Sequence, residues 1–181
     1  VFSGCTNLQN LTLPQNSNFT TINGYVFQGC TRLKTVSIPN SVTIIGNSAL
    51  YECTGLQTLS IPDSVTTIGT SVCFGCSSLH TVSIGDGLEQ INSYVFKNCS
   101  AITTLTIGNN VKIIGTDAFV GCSSITTLII PNSVTTLGTS AFNGCIAITT
   151  LTIPNSVTSI GSAAFQGCTG LQNVSITDSV T

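Results

Sequence analysis

The nine cysteines have the widest chemical repertoire of any side chains in this chain, and eight of them share one register. These eight are Cys5, Cys30, Cys53, Cys76, Cys99, Cys122, Cys145 and Cys168, and the last seven each follow the previous one by 23 residues. Cysteines stacked in neighbouring coils, about 5 Å apart, could form disulfides. A position that is always inward instead favours small buried thiols. We predict buried thiols, and the sequence leaves some bonded pairs open.

The ninth cysteine, Cys73, lies three residues before Cys76 and out of register with the others. A local bridge or a zinc site is conceivable for such a Cys-x-x-Cys pair. Structural zinc sites, however, need a second pair of ligands, and a redox pair would be expected in a βαβ context. We therefore predict that Cys73 packs in the core.

The remaining chemistry-bearing side chains do not converge. The one histidine, His80, needs a reachable low-pKa thiol to form a nucleophilic pair, but the nearest cysteine, Cys76, is expected to point inward. Asp63 and Asp86 share a turn position in successive repeats, yet calcium takes about six to eight oxygen ligands, so a turn-forming role is predicted. We expect no catalytic residue, no metal site and no cofactor, and a protein that is not an enzyme.

Charge is scarce in this chain. It has 4 Lys+Arg and 6 Asp+Glu, a formal net charge of -2 and 6% charged residues. Nucleic acid is not expected as a partner, because binding it requires a basic face. No apolar run approaches the roughly 18 residues of a membrane span, so no membrane insertion is expected in this segment. Glu89 and Lys112 share a position in successive repeats and are predicted to form an exposed ion pair.

The residues around the cysteines repeat the pattern C-x-x-L-x-x-L-x-I-P-x-x-V-x-x-I-G-x-x-A-F-x-G. Alternating apolar residues predict a strand of three to five residues, for example 35–38, ended by a proline. A second inward pair ending at a glycine such as Gly46 predicts another short strand, and the Ala-Phe-x-Gly segment predicts one 3-10 turn. A unit this small cannot bury its apolar face alone, so about eight copies must stack as a solenoid.

This pattern, as in residues 148–168, resembles the BspA-like (Treponema-type) class of leucine-rich repeats. The resemblance implies a β-rich solenoid, a right-handed coil of about eight 23-residue repeats. Short parallel strands would form its concave face, with second short strands and 3-10 turns elsewhere. Proteins of this class are non-enzymatic and are typically secreted or surface-displayed by mucosal bacteria or parasitic protists. There they are associated with adhesion to host matrix or to cells.

The outward side of the first strands is the predicted binding surface, because parallel sheets of curved arrays present a recognition face. We predict that it comprises Lys34, Thr35, Ser37, Gln57, Thr58, Ser60, His80, Thr81, Ser83, Thr104, Thr106, Thr127, Thr150 and Thr152. These hydroxyls could also serve only as a solvated β-surface and hydrogen-bond along their ladders. Rows of Thr and Ser on a flat solenoid would also suit binding to ice or to another crystal surface.

The functional expectation is an extracellular, surface-displayed binding or adhesion module. Its partner would be a host protein, a glycan or another cell, and its location the cell surface or the secreted fraction. Residues 1–181 are expected to form a single solenoid, a fragment of a longer protein without terminal caps. Exposed end coils suggest possible end-to-end self-association. Asn18 is the predicted glycosylation site if the source is eukaryotic.

Overall fold

The computed structural model, which describes residues 1–180, is a parallel β-solenoid with two strands in most coils. Numbered in chain order, the longer strands are β2 (Thr35–Ser37), β4 (Thr58–Ile61), β6 (Thr81–Ile84), β8 (Thr104–Thr106), β11 (Thr150–Thr152) and β13 (Asn173–Ser175). The shorter strands are β1 (Thr21–Ile22), β3 (Ile44–Ile45), β5 (Thr67–Ile68), β7 (Gln90–Ile91), β9 (Ile113–Ile114), β10 (Thr136–Leu137) and β12 (Ser159–Ile160). Residues 1–180 contain no helix long and apolar enough to cross a bilayer.

The longer strands other than β13 alternate between an exposed and a more buried face, as the spacing of their apolar residues predicts. In β4 the side chain of Leu59 is buried while Thr58 and Ser60 are exposed. Strands β2, β4, β6 and β8 form one parallel sheet, in which each strand pairs with the equivalent residues of the next coil. The 23-residue sequence period is therefore also the register of the sheet, and equivalent side chains form columns.

Five of the seven shorter strands are followed by a glycine, because neighbouring coils approach too closely there for a side chain. A Cβ on Gly138 would lie 2.6 Å from the backbone carbon of Gly115 in the preceding coil. The amide of Gly138 donates across this contact to Ile114 (2.7 Å). Asn92 occupies this position in its own coil, and its side-chain amide donates to Ile68 at 2.6 Å. The ladder is interrupted there, between β5 and β7.

Columns of equivalent, mostly similar side chains fill the core. Phe96, Phe119, Phe142 and Phe165 stack with centroid separations of 5.2–5.5 Å. Leu50 and Cys73 interrupt this aromatic column, as the sequence indicates, and both are buried. In those two coils the next residues, Tyr51 and Phe74, stack at 4.8 Å, so the aromatic pair moves one position along the chain.

The segment that closes each coil consists of single hydrogen-bonded turns. The amide of Cys53 donates to Leu50 three residues earlier, and the amide of Leu56 donates to Cys53. These are bonds of the 3-10 type, but they do not extend into a helix within residues 1–180. Two residues of each such segment adopt positive φ in most coils, for example Ser140 (54°) and Gly144 (75°).

Two segments that the repeat places in line with the longer strands do not join the sheet. They are residues 10–13 and residues 127–130. The second separates β8 from β11, so the face divides into a four-stranded sheet and the pair β11–β13. Its one departure from the repeat pattern is Ile129, which is 73% exposed in a row otherwise made of Ser and Thr. The row of longer strands in the structure is therefore shorter than the row that the sequence predicts.

Candidate functional site

The outward residues of β2, β4, β6 and β8 form a continuous surface, which we call the hydroxyl face. It consists of Thr35, Ser37, Thr58, Ser60, Thr81, Ser83, Thr104 and Thr106, paired in register across the sheet. All are exposed except the half-buried Ser83. Thr35, Ser37, Thr58, Ser60, Thr81 and Ser83 line a shallow depression of about 380 Å³. The structure thus brings together eight of the fourteen predicted binding residues.

The hydroxyls of this face have no hydrogen-bond partner within residues 1–180. Elsewhere in the coils, hydroxyls hold the backbone of the preceding coil. Ser64 donates to the Val42 carbonyl and Ser133 to the Val111 carbonyl, at 2.8 and 2.7 Å. The Thr and Ser side chains of the hydroxyl face therefore do not hydrogen-bond to one another along their ladders within residues 1–180. The hydroxyl face keeps its donors and acceptors for solvent or a ligand.

A second row, Lys34, Gln57 and His80, runs beside the hydroxyl face and is exposed. Backbone hydrogen bonds hold this row in register, because the amide of Gln57 donates to Lys34 (2.9 Å) and that of His80 to Gln57 (2.9 Å). Neighbouring positions in the row are one coil apart, about 4.8 Å. The row gives the otherwise uniform hydroxyl face chemical variety along one edge.

The remaining predicted residues lie beyond the interruption at 127–130. Thr150 and Thr152 are exposed on β11, paired with Asn173 and Ser175, while Thr127 lies in the interrupting segment itself. A groove of about 520 Å³ opens there, lined by residues of the interrupting segment and of the coils that follow it. The hydroxyl rows are thus neither continuous nor uniform along the solenoid. This departs from the regular lattice that binding to an ice or crystal surface requires.

The cysteines are buried thiols, with one correction. All nine are free, and all are buried except Cys5, which was expected to point inward and is exposed in the first coil. Seven ladder thiols donate to the carbonyl at the Phe position of the preceding coil, at 3.0–3.4 Å; Cys53, for example, donates to Phe27. Burial raises the pKa of Cys122 well above its ordinary value. These thiols serve the fold.

Cys73 is fully buried beside Cys76 and Cys99. A hydrogen bond from the Cys73 thiol, together with the neighbouring Cys99 thiol, lowers the pKa of Cys76. The hydrogen bond to Cys76 and then burial raise the pKa of Cys73. Because all three sulfurs are enclosed by the core, none can reach a substrate.

The carboxylates of Asp63, Asp86 and Glu89 have structural roles. Asp63 accepts the amide of Asp86 (2.8 Å), and Asp86 accepts the amide of Asn109 (2.6 Å), so both organise turns between coils, as predicted. The predicted ion pair between Lys112 and Glu89 is present at 2.9 Å and exposed. In the part of the chain that the structure describes, no three His, Cys, Asp or Glu side chains converge as a metal site.

The structure also contains an ion pair that the sequence did not predict, between Lys97 and Asp117 at 2.7 Å. Lys97 also lies 5.3 Å from the ring centroid of Tyr94. Tyr94 and Asp117 share one repeat position, but Lys97 occupies another, so no column of the sequence pattern relates the two members of the ion pair. Asn18, the predicted glycosylation site, is exposed in the longer turn of the first complete coil, where its backbone amide donates to Asn16.

The family model described as a BspA type leucine-rich repeat region matches residues 1–123 and 89–181, in six copies. The chain is also similar to solved structures of leucine-rich repeat proteins. One from Bacteroides ovatus is 33% identical over 96% of this chain, with a TM-score of 0.72. One from Eubacterium ventriosum is 27% identical over 90%, with a TM-score of 0.79. One from T. pallidum is 29% identical over 78%, with a TM-score of 0.71.

The chain spans 50%, 42% and 65% of those three proteins, respectively. No curated protein matches it significantly.

Proposed function

Because the chain belongs to the family of BspA-type leucine-rich repeat proteins, we propose that it is an extracellular, surface-displayed binding module that uses the hydroxyl face. Leucine-rich repeat arrays generally serve as interaction scaffolds, and their sheet surface is the usual recognition face. The partner would be a protein or glycan on host matrix or on another cell. Adhesion, rather than catalysis, is the proposed role.

The observation that carries this proposal is the contrast between two classes of hydroxyl. Ser64 and Ser133 are engaged with backbone carbonyls, whereas Thr58, Thr81 and Thr104 are exposed and unpartnered within residues 1–180. A buried polar group must keep its hydrogen bonds, and these exposed hydroxyls can form theirs with a ligand. Short side chains also lose little conformational entropy on binding.

The face suits broad and weak contact. It lacks large aromatic or arginine anchors, which usually dominate the affinity of protein interfaces. Affinity for a single module should therefore be modest, and display of many copies on one surface would raise it through avidity. Adhesion between surfaces is a setting in which that arrangement is effective.

The test compares two triple variants of the same charge. Thr58→Glu/Thr81→Glu/Thr104→Glu places three carboxylates on the hydroxyl face. The control Thr139→Glu/Ser162→Glu/Thr169→Glu places three on exposed positions elsewhere. Binding to immobilised matrix proteins and cell-surface glycans is measured with multivalent protein. We expect the face variant to bind at least about tenfold more weakly, since each unpaired charge costs more than a lost neutral hydrogen bond.

The control variant should bind like the unmodified chain. Equal binding by the face variant and the unmodified chain would place the contact surface elsewhere and overturn the proposal. Circular dichroism and thermal unfolding of both variants verify that the solenoid remains intact.

A further inference from the structure

Two of the four cationic side chains are unpaired, and they lie together. Lys97 is paired with Asp117, and Lys112 with Glu89. Arg32 and Lys34 have no ion-pair partner among residues 1–180, although the chain carries a net charge of -2. An unpaired arginine and an unpaired lysine two residues apart form a local positive site on an otherwise weakly acidic protein.

These two cations line a groove of about 390 Å³ at the edge of the hydroxyl face, which we call the cationic groove. Its other polar side chains are Gln9, Thr31, Gln57 and Ser78. Gly55, between Arg32 and Ser78 in the same column of successive coils, contributes no side chain, so the column dips there. No carboxylate lines the groove.

The backbone holds the groove in place. The Gln57 amide donates to Lys34, and Thr58 pairs in register with Thr35 on the adjoining strands. Lys34 and Gln57 are therefore about one coil, or 4.8 Å, apart at their backbones. A bound anion within reach of Arg32 and Lys34 would have amide and hydroxyl groups beside it, and the hydroxyl face would continue from its edge.

We propose that the cationic groove binds an anionic carbohydrate through a carboxylate or sulfate group held by Arg32 and Lys34. Guanidinium and ammonium groups form charge-assisted hydrogen bonds to such oxyanions. Gln9, Gln57, Thr31 and Ser78 can both donate to and accept from sugar hydroxyls. The lining has no apolar or aromatic side chain of the kind that anchors peptides. A hydroxyl-rich anion matches these groups better than an acidic peptide does.

This inference rests on the proposed function, since it assigns a ligand class to one edge of the proposed binding surface. The probes are immobilised heparin as the sulfated polysaccharide, hyaluronan as the carboxylate-only polysaccharide, dextran as the neutral control and polyglutamate as the acidic peptide. Binding is measured by biolayer interferometry at low and at raised sodium chloride. Heparin and hyaluronan distinguish a sulfate from a carboxylate preference.

The variants are Lys34→Gln, Arg32→Gln/Lys34→Gln and the matched control Lys112→Gln, which removes a lysine that is also exposed but is ion-paired. We expect binding to at least one anionic polysaccharide and none to dextran, with affinity falling as salt rises. Lys34→Gln should weaken it about tenfold and the double variant should abolish it, while Lys112→Gln leaves it unchanged.

Three outcomes would overturn the assignment: no binding to either anionic polysaccharide, an equal loss with Lys112→Gln, or polyglutamate binding as tightly as the polysaccharides. The two proposals fail separately. If the hydroxyl-face variant loses matrix binding and no polysaccharide binds, only the proposal for the cationic groove is refuted. If polysaccharide binding depends on Arg32 and Lys34 and the face variant still binds matrix normally, only the proposal for the hydroxyl face is refuted.

Discussion

Seven of the eight ladder cysteines each supply a small apolar body and a weak hydrogen-bond donor to the same position of their coils. Cys145 is fully buried, and its thiol donates to the Phe119 carbonyl at 3.4 Å. That carbonyl also accepts the backbone amide of Cys122 at 3.2 Å. The thiol therefore links two coils, a role that favours a small donor at this position in addition to its packing.

The buried thiols predict that the fold weakens in alkali. Burial raises the pKa of Cys145 from its ordinary value of 9.0 to about 12. Between these values the unfolded chain has lost this proton while the folded chain keeps it, so stability is lost as pH rises from 9 toward 12. Cys145→Ser removes the titration but keeps a donor of similar size.

The measurement is urea denaturation at a series of pH values. The unmodified chain should lose about 1–4 kcal/mol more than Cys145→Ser between pH 9 and pH 12. The comparison isolates the Cys145 thiol, because every other titratable group is present in both proteins. Parallel pH profiles for the two would contradict the assignment.

At the scale of the element, each closing turn depends on residues in the left-handed region of φ. One of its positions is glycine in most coils, as at Gly144 (φ 75°), but Glu52 (φ 54°) and Asn98 (φ 62°) occupy it in two others. The second left-handed position lies four residues earlier in the turn. It holds Ser, Tyr, Asp or Ala and never glycine, for example Ser140. The repeat pattern predicts the first position from its glycine, but it carries no signal for the second.

A matched pair of substitutions measures this backbone strain. Gly144→Ala should destabilise the chain by about 1–2 kcal/mol, the cost of the left-handed region for a residue with a Cβ. Space is not the cause, because a Cβ there would lie 3.7 Å from the nearest backbone of the preceding coil. Glu52→Gly should stabilise by about 0.5–1 kcal/mol, since the strain is removed and glycine entropy offsets part of the gain.

Thermal and urea unfolding report both changes. A neutral Gly144→Ala, or a destabilising Glu52→Gly, would show that the surrounding coil and not the left-handed φ determines the stability of the turn.

At the scale of the whole molecule, the row of longer strands and the row of shorter strands are interrupted in different places. The longer strands break at residues 127–130, where the ladder β9–β10–β12 continues. The shorter strands break between β5 and β7, where β4 and β6 remain paired over four residues. One ladder therefore spans each interruption of the other, and the column of buried residues continues through both.

The break at 127–130 predicts uneven hydrogen exchange along the hydroxyl face. The amides of residues 127–130 have no backbone acceptor within the described chain, whereas those of β6 belong to a ladder paired on both sides. Exchange measured by mass spectrometry should be at least about tenfold faster for 127–130 than for residues 81–84, because local protection follows local hydrogen bonding. Similar protection of the two segments would mean that the sheet is continuous.

Much of the fold could be predicted because the repeat converts sequence position into spatial position. Val36, Leu59 and Val82 share one repeat position, and the structure stacks them in register. The Asp63 turn and the pair Glu89–Lys112 followed from the same reasoning. Lys97–Asp117 did not, because those residues occupy different repeat positions and meet only through the path of the coil.

The chain by itself determined the solenoid, its columns and the rows of hydroxyls, because a 23-residue period leaves an apolar face that only stacked neighbours can cover. Tertiary structure alone decided which hydroxyls remain without partners, where the sheet stops at residues 127–130, and that Arg32 and Lys34 share a groove without a counter-charge. Those properties depend on distances between coils and on local backbone geometry. Equivalent positions of the repeat look alike in the sequence even where their contacts in the structure differ.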